Sequence, residues 1–420
     1  MNQRLLKPAS PSDCAARVIQ PVSPETLKEA EAILAEVRNE GAQGLKACIE
    51  RFEGRAADAL IIKKESLKEA FFRLPLETQE LLDRTAARIR NFAEAQKQCL
   101  RALEMPIPGG FVGHDLAPIE KAGCYAPGGR FPLPSSVLMT AVTARSAGVK
   151  EVWVATPSKD DIMLGAAWIA GADGLLYAGG AQAIAALAYG AGEVPAVDII
   201  VGPGNAWVTA AKQLVSGSVA IDMLAGPSEL VVVADEDANP DIIAADLLAQ
   251  AEHDPDAIPS LVTNSETLAL SVEESLSKQL ALLDTRDIAK AALSNGAVYL
   301  CSKEEEILDV VNRLAPEHLE LQVRNASELA AKIQHYGGLF IGENAAEVLG
   351  DYGAGPNHVL PTGGTARYTG GLNVLSFIRI RTWIRIDNPL DAQGLREDAQ
   401  ALGNLEGLSG HARSAEIRAS

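Results

Sequence analysis

The chain has 420 residues, enough for two or three domains at roughly 150 residues each. Its 55 Asp and Glu outnumber 37 Lys and Arg, and the net charge of −18 argues against non-specific nucleic-acid binding and against docking on an anionic membrane, both of which depend on cationic side chains. Hydrophobic residues make up 47% and charged residues 22%, the balance of a folded globular protein rather than a disordered one.

Five cysteines (Cys14, Cys48, Cys99, Cys124 and Cys301) are scattered, odd in number and include no CxxC pair. Neither a disulfide framework nor a structural zinc ribbon is expected from them. The first residues lack the apolar region of a secretory leader, and no run of 18 apolar residues is free of charge. The expectation is a cytoplasmic, multidomain protein.

In chain order, Ser23, Pro24 and Glu25 read as an N-cap, a first-position proline and an acidic first turn. Leu27, Ala30, Leu34 and Val37 then recur at helical spacing, and Gly41 follows as a C-cap. A second helical pattern runs from about Pro75 to Met105. The texture changes at Ile107–Gly110 and again at Gly123–Arg130. Beyond that point short strands alternate with Ala-rich helices: strand Glu151–Thr156, helix Gly165–Ala172, strand Gly174–Tyr177, helix Ala181–Ala188, strand Val197–Val201 and helix Ala206–Val215. A second series starts at Glu229–Ala234 and reaches Gly338–Ile341. Such alternation means parallel βαβ units with helices on the sheet faces.

The fold class is therefore α/β, with two Rossmann-like parallel-sheet domains, a helical N-terminal segment and an extended C-terminal arm. In the arm, Arg379, Arg381 and Arg385 alternate with Ile380 and Ile384 around Trp383, as in a strand, and an amphipathic helix follows around Asp391–Leu405. A tail this small has no core of its own and is expected to pack on something else, a partner subunit included.

Candidate chemistry sits in loops and polar clusters. Gly202-Pro203-Gly204-Asn205 is a glycine turn between a strand and a helix, which suits an anionic cofactor but equally a plain tight turn, because the dinucleotide fingerprint GxGxxG is absent. Gly123–Gly129 and Gly179–Gln182 are similar loops at βα junctions. Gln250 and His253 fall three residues apart on a helical pattern, so they are either a solvated face or two groups aimed at one ligand. Glu317 and His318 place a carboxylate beside an imidazole at the start of a new element, as a general base and its helper do, although a first-turn acid complementing a helix dipole has the same pattern. Gly350–His358, with three glycines and a proline around Asp351 and His358, cannot be a core element and reads as functional. Glu406 and His411 close the set. Cys124 has no nearby histidine and reads as a small buried residue.

Taken together, these blocks resemble the histidinol dehydrogenase family. The matching stretches are Tyr125–Gly129, Gly179–Ala188, Gly202–Asn205, Ala225–Glu229, Gln250–Pro255, Ala315–Leu319, Asp351–Pro361 and Glu406–His411, in the family's order and over nearly the whole chain. The resemblance implies Zn2+ held by Gln250, His253, Asp351 and His411. It implies NAD contacts at Tyr125, Gln182 and Asn205. It also implies an acid–base pair, Glu317 and His318, and substrate contacts at Ser228, His318, His358, Glu406 and the metal ligands. The implied assembly is a homodimer in which the tail crosses to the neighbour, so that Glu406 and His411 complete the other subunit's site.

On this reading the chain divides into an N-terminal segment (1–22), a larger α/β domain carrying metal and catalytic residues (23–124 plus 228–370), an NAD-binding Rossmann-like domain (125–227) and an exchanged arm (371–420). The reaction implied is oxidation of L-histidinol through the aldehyde to L-histidine with two NAD+. The segment Val374–Asp387 departs from the family pattern by its arginines, which raises a second substrate class, an anionic primary alcohol such as sulfopropanediol. A third reading, a non-enzymatic metal- or nucleotide-binding protein on the same fold, is opposed by the intact Glu317, His318 and ligand positions.

Overall fold

The computed structural model describes residues 4–14, 22–57, 59–128 and 132–418. Gly129 and Arg130, the end of one glycine loop noted above, lie outside the described residues.

Two sets of buried, β-branched strands seed two six-stranded sheets. The first has the order Ile61–Lys63, Gly174–Tyr177, Glu151–Thr156, Lys121–Tyr125, Ile199–Val201 and Ala220–Ile221, parallel except for the antiparallel edge strand Ile61–Lys63. The second has the order Lys7–Ala9, Ala297–Leu300, Ile258–Thr263, Glu229–Ala234, His318–Gln322 and Gly338–Ile341, parallel throughout. Alternate residues of each strand feed opposite cores. Leu230, Val232 and Leu261 enter one cluster, while Val231, Val233 and Val262 enter the other. Helices therefore cover both faces of each sheet, the doubly wound arrangement expected.

Apart from the N-terminal edge strands Ile61–Lys63 and Lys7–Ala9, each sheet starts from a strand in the middle and grows first to one side and later to the other. In the first sheet that reversal falls between Lys121–Tyr125 and Ile199–Val201. In the second it falls between Glu229–Ala234 and His318–Gln322.

Local signals placed several elements well. Ser23 Oγ accepts from the Thr26 N–H at 3.1 Å and caps helix Pro24–Glu40, which ends at Gly41 with φ +58. The second helical pattern is shorter than its periodicity implies. The helix is Leu76–Gln98, and Leu103–Ile107 is instead a strand that turns at Gly109 (φ +77) to pair with Gly110–Pro118. Hairpin pairing overrides the helical spacing there.

The arm strand is Ile378–Ile386. It adds antiparallel to Gly110–Pro118, completing a separate three-stranded sheet. Helices Gln393–Leu405 and Ser409–Glu416 follow and pack against each other, with no other extensive helix or strand contact among the described residues.

The expected division into 23–124 plus 228–370 is corrected by the strand pairing. Ile61–Lys63 and Lys121–Tyr125 belong to the first sheet, with 125–227. Helix Pro24–Glu40 buries Ala30, Ile33, Leu34 and Val37 against helices Gly180–Tyr189 and Ala206–Val215, and helix Lys64–Arg73 packs on Asp161–Ile169. From the segment 1–22, Lys7–Ala9 is the edge strand of the second sheet, while 1–3 and 15–21 lie outside the described residues. An amphipathic face records that it must be covered but not by which sheet. Among the described residues, no helix is long and apolar enough to cross a membrane.

Phe377, fully buried at the root of the arm, packs in the core that also holds Ile89 and Met139. Phe377→Ala is expected to cost about 3–5 kcal/mol of stability, seen as a lower denaturant midpoint with an unchanged slope.

Candidate active site

The catalytic candidates gather at the N-terminal edge of the second sheet. Leu230 pairs with His318 in the parallel register, so the peptide of Glu229 lies beside Glu317 and His318. His318 Nδ1 lies 3.1 Å from the Glu229 carbonyl and the Glu229 N–H donates to Glu317 Oε2 at 2.9 Å. An Nδ1–H donor on that carbonyl leaves Nε2 with its lone pair, and Nε2 is buried with no hydrogen-bond partner, 3.9 Å from Asp351 Oδ1. His358 repeats the device: its Nδ1 is 3.0 Å from the Asp351 carbonyl, and its Nε2 is likewise buried and unpartnered.

Helix Pro240–Ala251 returns to the same edge and delivers Gln250, almost wholly buried. With its amide assigned so that nitrogen donates to Glu347 Oε1 (3.1 Å) and the Glu229 carbonyl (3.3 Å), the oxygen is left for a ligand. His253 does not share the helix with Gln250 as the i, i+3 spacing suggested. The helix stops at Ala251, and the following turn carries the half-exposed His253 to within 3.9 Å of Asp351 Oδ2. Asp351 is likewise not in a loop but ends the short helix Glu347–Asp351.

His253, Glu347 and Asp351 offer ligand atoms that all lie within 4.8 Å of one another. With the Gln250 oxygen beside them, this nitrogen-and-oxygen donor set suits a zinc-like divalent ion, and the buried Glu347 Oε2, which has no hydrogen-bond partner, fits the same donor set. Glu347 was not singled out by sequence. It lies four residues before Asp351, and nothing local distinguishes it from an ordinary surface acid.

Burial controls the titration of these groups. It pushes the Glu317 carboxyl well above the usual carboxylate range against the Glu229 N–H, which pulls the other way. It raises Glu347 strongly too, reinforced by Asp351 and Glu320. The His318 imidazole is driven down to about 4 by burial, so it is neutral at pH 7. A cavity of about 370 Å³ opens beside His318, lined among others by Phe340, Leu349, Asp351, Asn357 and His358.

At the first sheet, Tyr125 and the Gly202–Asn205 turn meet at the switch point, where ligands of open α/β sheets bind. The Tyr125 hydroxyl accepts from the Gly180 N–H at 3.1 Å. The amide of Gln182 donates to Glu53 Oε1 (3.1 Å), which also accepts from the Gly179 N–H (3.1 Å). Glu53, at the end of helix Ala42–Glu53, is a second residue the sequence did not point to. Asn205 Oδ1 accepts from the Val208 N–H at 3.1 Å, so Asn205 caps helix Ala206–Val215.

Three expected participants stand apart or are neutral. Ser228 directly precedes Glu229 and its carbonyl accepts from the Ile258 N–H at 2.9 Å. Glu406 and His411 are exposed on the arm and are not in the metal-like cluster of their own chain. Cys124 is buried, its thiol pushed up to about 12 by burial, which makes it inert. Among the arm arginines, Arg385 pairs with Asp387 at 3.0 Å and lies 4.0 Å from Glu104, and Arg379 donates to the Pro118 carbonyl at 3.1 Å. Those two are engaged on their own three-stranded sheet, and the anionic-substrate alternative gains no support from them.

The family model described as histidinol dehydrogenase matches residues 20–419. The histidinol dehydrogenase of Geobacillus kaustophilus is 44% identical over 409 residues, covering 96% of both chains. That of Thermus thermophilus is 44% identical over 389 residues, 92% of this chain and 93% of the relative. The crystal structure of histidinol dehydrogenase from Elizabethkingia anophelis superposes with a TM-score of 0.93 at 30% identity, covering 100% of this chain and 99% of that one. With buried imidazoles, acids and two doubly wound sheets arranged as above, the chain belongs to the histidinol dehydrogenase family of NAD-dependent oxidoreductases.

Proposed function

We propose that this chain oxidises L-histidinol through the aldehyde to L-histidine, passing one hydride to each of two NAD+. The observation that carries the reading is His318: a buried, neutral imidazole held by the Glu229 carbonyl, its Nε2 unpartnered and facing the acid cluster. His318 Nε2 takes the hydroxyl proton as hydride leaves the carbinol carbon for NAD+. Glu317, held by the Glu229 N–H, takes a proton from water as its oxygen adds to the retained aldehyde. Burial makes that carboxylate a stronger base than an exposed one. His318 then deprotonates the hydrate as the second hydride departs, leaving the carboxylate. The balance is alcohol, water and two NAD+ to carboxylate, two NADH and three protons.

Gln250, His253 and Asp351, with His411 of the partner subunit, would hold Zn2+, the site's nitrogen and oxygen donors being those zinc accepts. When bound, the ion supplies a Lewis-acid anchor for the substrate's amine and imidazole. Ser228 and His358, with Glu406 of the partner subunit, complete the substrate contacts. Tyr125, Gln182 and Asn205 line the crevice for NAD+ at the first sheet.

The homodimer is supported by the arm itself. Its two helices bury only Gly403 and Ala412 while Leu402, Leu405 and Ile417 remain exposed, which is the surface of an unfinished interface. A cytoplasmic location is supported by Cys48, Cys99, Cys124 and Cys301, none of which forms a disulfide.

Two NADH are expected per L-histidinol, with activity lost on metal stripping and restored by Zn2+. Any other stoichiometry removes the four-electron reading. His318→Ala is expected to lower kcat by roughly 10²–10⁴, whereas Cys124→Ala stays within about twofold because its thiol is not ionised. Mixing inactive His318→Ala and His411→Ala subunits one to one is expected to restore about a quarter of wild-type activity, since half the dimers then carry one intact shared site. No recovery would place each arm on its own subunit.

A further inference from the structure

The mechanism leaves one buried ion pair without a task. Lys212, on helix Ala206–Val215, and Asp222, just past strand Ala220–Ile221, are in direct contact, with side chains only 2% and 1% exposed. Both also grip a single residue of the first sheet's switch point. Lys212 Nζ donates to the Gly202 carbonyl at 3.0 Å, and the Gly202 N–H donates to Asp222 Oδ2 at 2.7 Å. Asp222 Oδ1 further accepts from the Met223 N–H at 2.6 Å. Gly202 has φ +115, and a Cβ there would lie 2.0 Å from the Tyr125 carbonyl oxygen, so its peptide is pressed against the end of the central strand.

A buried ion pair is a poor source of stability, because desolvating two charges offsets most of their attraction and an apolar pair of equal volume usually serves as well. What a fully hydrogen-bonded pair supplies instead is geometry. Here it pins both polar groups of Gly202, and with them the direction in which Pro203, Gly204 and Asn205 leave the sheet and the helix Ala206–Val215 begins. Both side chains are sealed from solvent and both hold Gly202, so the pair acts through the turn.

We propose that Lys212 and Asp222 are positioning residues for NAD+, holding the Gly202–Asn205 turn in its cofactor-binding conformation. This rests on the reading that NAD+ binds at the first sheet's switch point. The double substitution Lys212→Met with Asp222→Asn removes both charges together and strands neither. In the zinc-loaded enzyme it is expected to raise KM for NAD+ tenfold or more, while kcat at saturating NAD+ and KM for L-histidinol stay within twofold. Lys212→Arg keeps the charge but replaces a single nitrogen with a broad fork, and is expected to move KM for NAD+ the same way by less. Direct titration with NAD+ followed by calorimetry supplies the same readout without turnover.

Gln182→Ala, on the other side of the crevice, separates the two ideas. If Gln182→Ala weakens NAD+ and both Lys212 variants lose only thermal stability, the pair is structural and the proposal is overturned. If neither crevice nor pair variants change NAD+ affinity, the cofactor site itself is elsewhere, and the proposal falls with it.

Discussion

The parallel pairing of strand His318–Gln322 with Glu229–Ala234 is the constraint on which the site depends. Its register sets one residue, Glu229, between two side chains, with its carbonyl meeting the His318 Nδ1–H and its N–H meeting the Glu317 carboxyl. One residue therefore holds the His318 imidazole in a single tautomer and orients the neighbouring Glu317 carboxyl. Backbone groups in a central strand move less than any side chain, so the preorganisation costs little at the moment of reaction. The position is unusual for a doubly wound sheet. His318 and Glu229 open their strands, so the cluster lies at the N-terminal edge, opposite the edge at which such sheets ordinarily bind ligands. Helix Pro240–Ala251 runs back to that edge and ends there, which is how Gln250 arrives.

Acid density is the second feature, and burial gives it its character. Glu317, Glu320 and Glu347 are each almost fully buried, and Asp246 sits with them. Burial together with the Asp246 charge raises the Glu320 carboxyl to about 8, and Gln322 donates to both acids, at 2.9 Å to Asp246 and 3.1 Å to Glu320. Glu320 in turn accepts from the Glu347 N–H at 2.8 Å, tying the short helix that carries Asp351 into the same network. So many carboxyls in a low dielectric cannot all be ionised unless protons or a cation compensate them. The arrangement is expensive as a piece of core and economical as a cation site.

The two sheets are coupled through the segment that leaves helix Glu347–Asp351 and carries His358. Asn357 donates to the Met139 carbonyl at 2.8 Å and to Thr143 Oγ1 at 3.1 Å, both on helix Pro134–Ala147 of the first sheet. Arg88 donates to the Gly353 carbonyl at 2.6 Å, and Gly353, at φ +90, leaves only 2.4 Å between a would-be Cβ and Thr85 Cγ2. That glycine is required by close approach as well as by conformation. The two sheets are thus held together by directed hydrogen bonds.

By itself the sequence determined whatever depends on neighbours along the chain. Caps such as Ser23 and Gly41, strands such as Glu229–Ala234, and the α/β alternation follow from local dihedral preference and periodicity. The motif blocks identified Gln250, His253, Glu317, His318, Asp351 and His358, and folding does bring all six together. Only the tertiary structure decided which sheet covers helix Pro24–Glu40, that Leu103–Ile107 leaves a helical pattern to join a hairpin, and that His253 lies beyond its helix. It alone revealed Glu347 and Glu53 at their sites and the Lys212–Asp222 clamp on Gly202. The physical reason is shared: a carboxylate or an apolar face looks the same in sequence whether exposed or buried. Its burial and its partners are set by chain segments up to hundreds of residues away, and it is burial that turns an ordinary acid into a ligand, a base or a clamp.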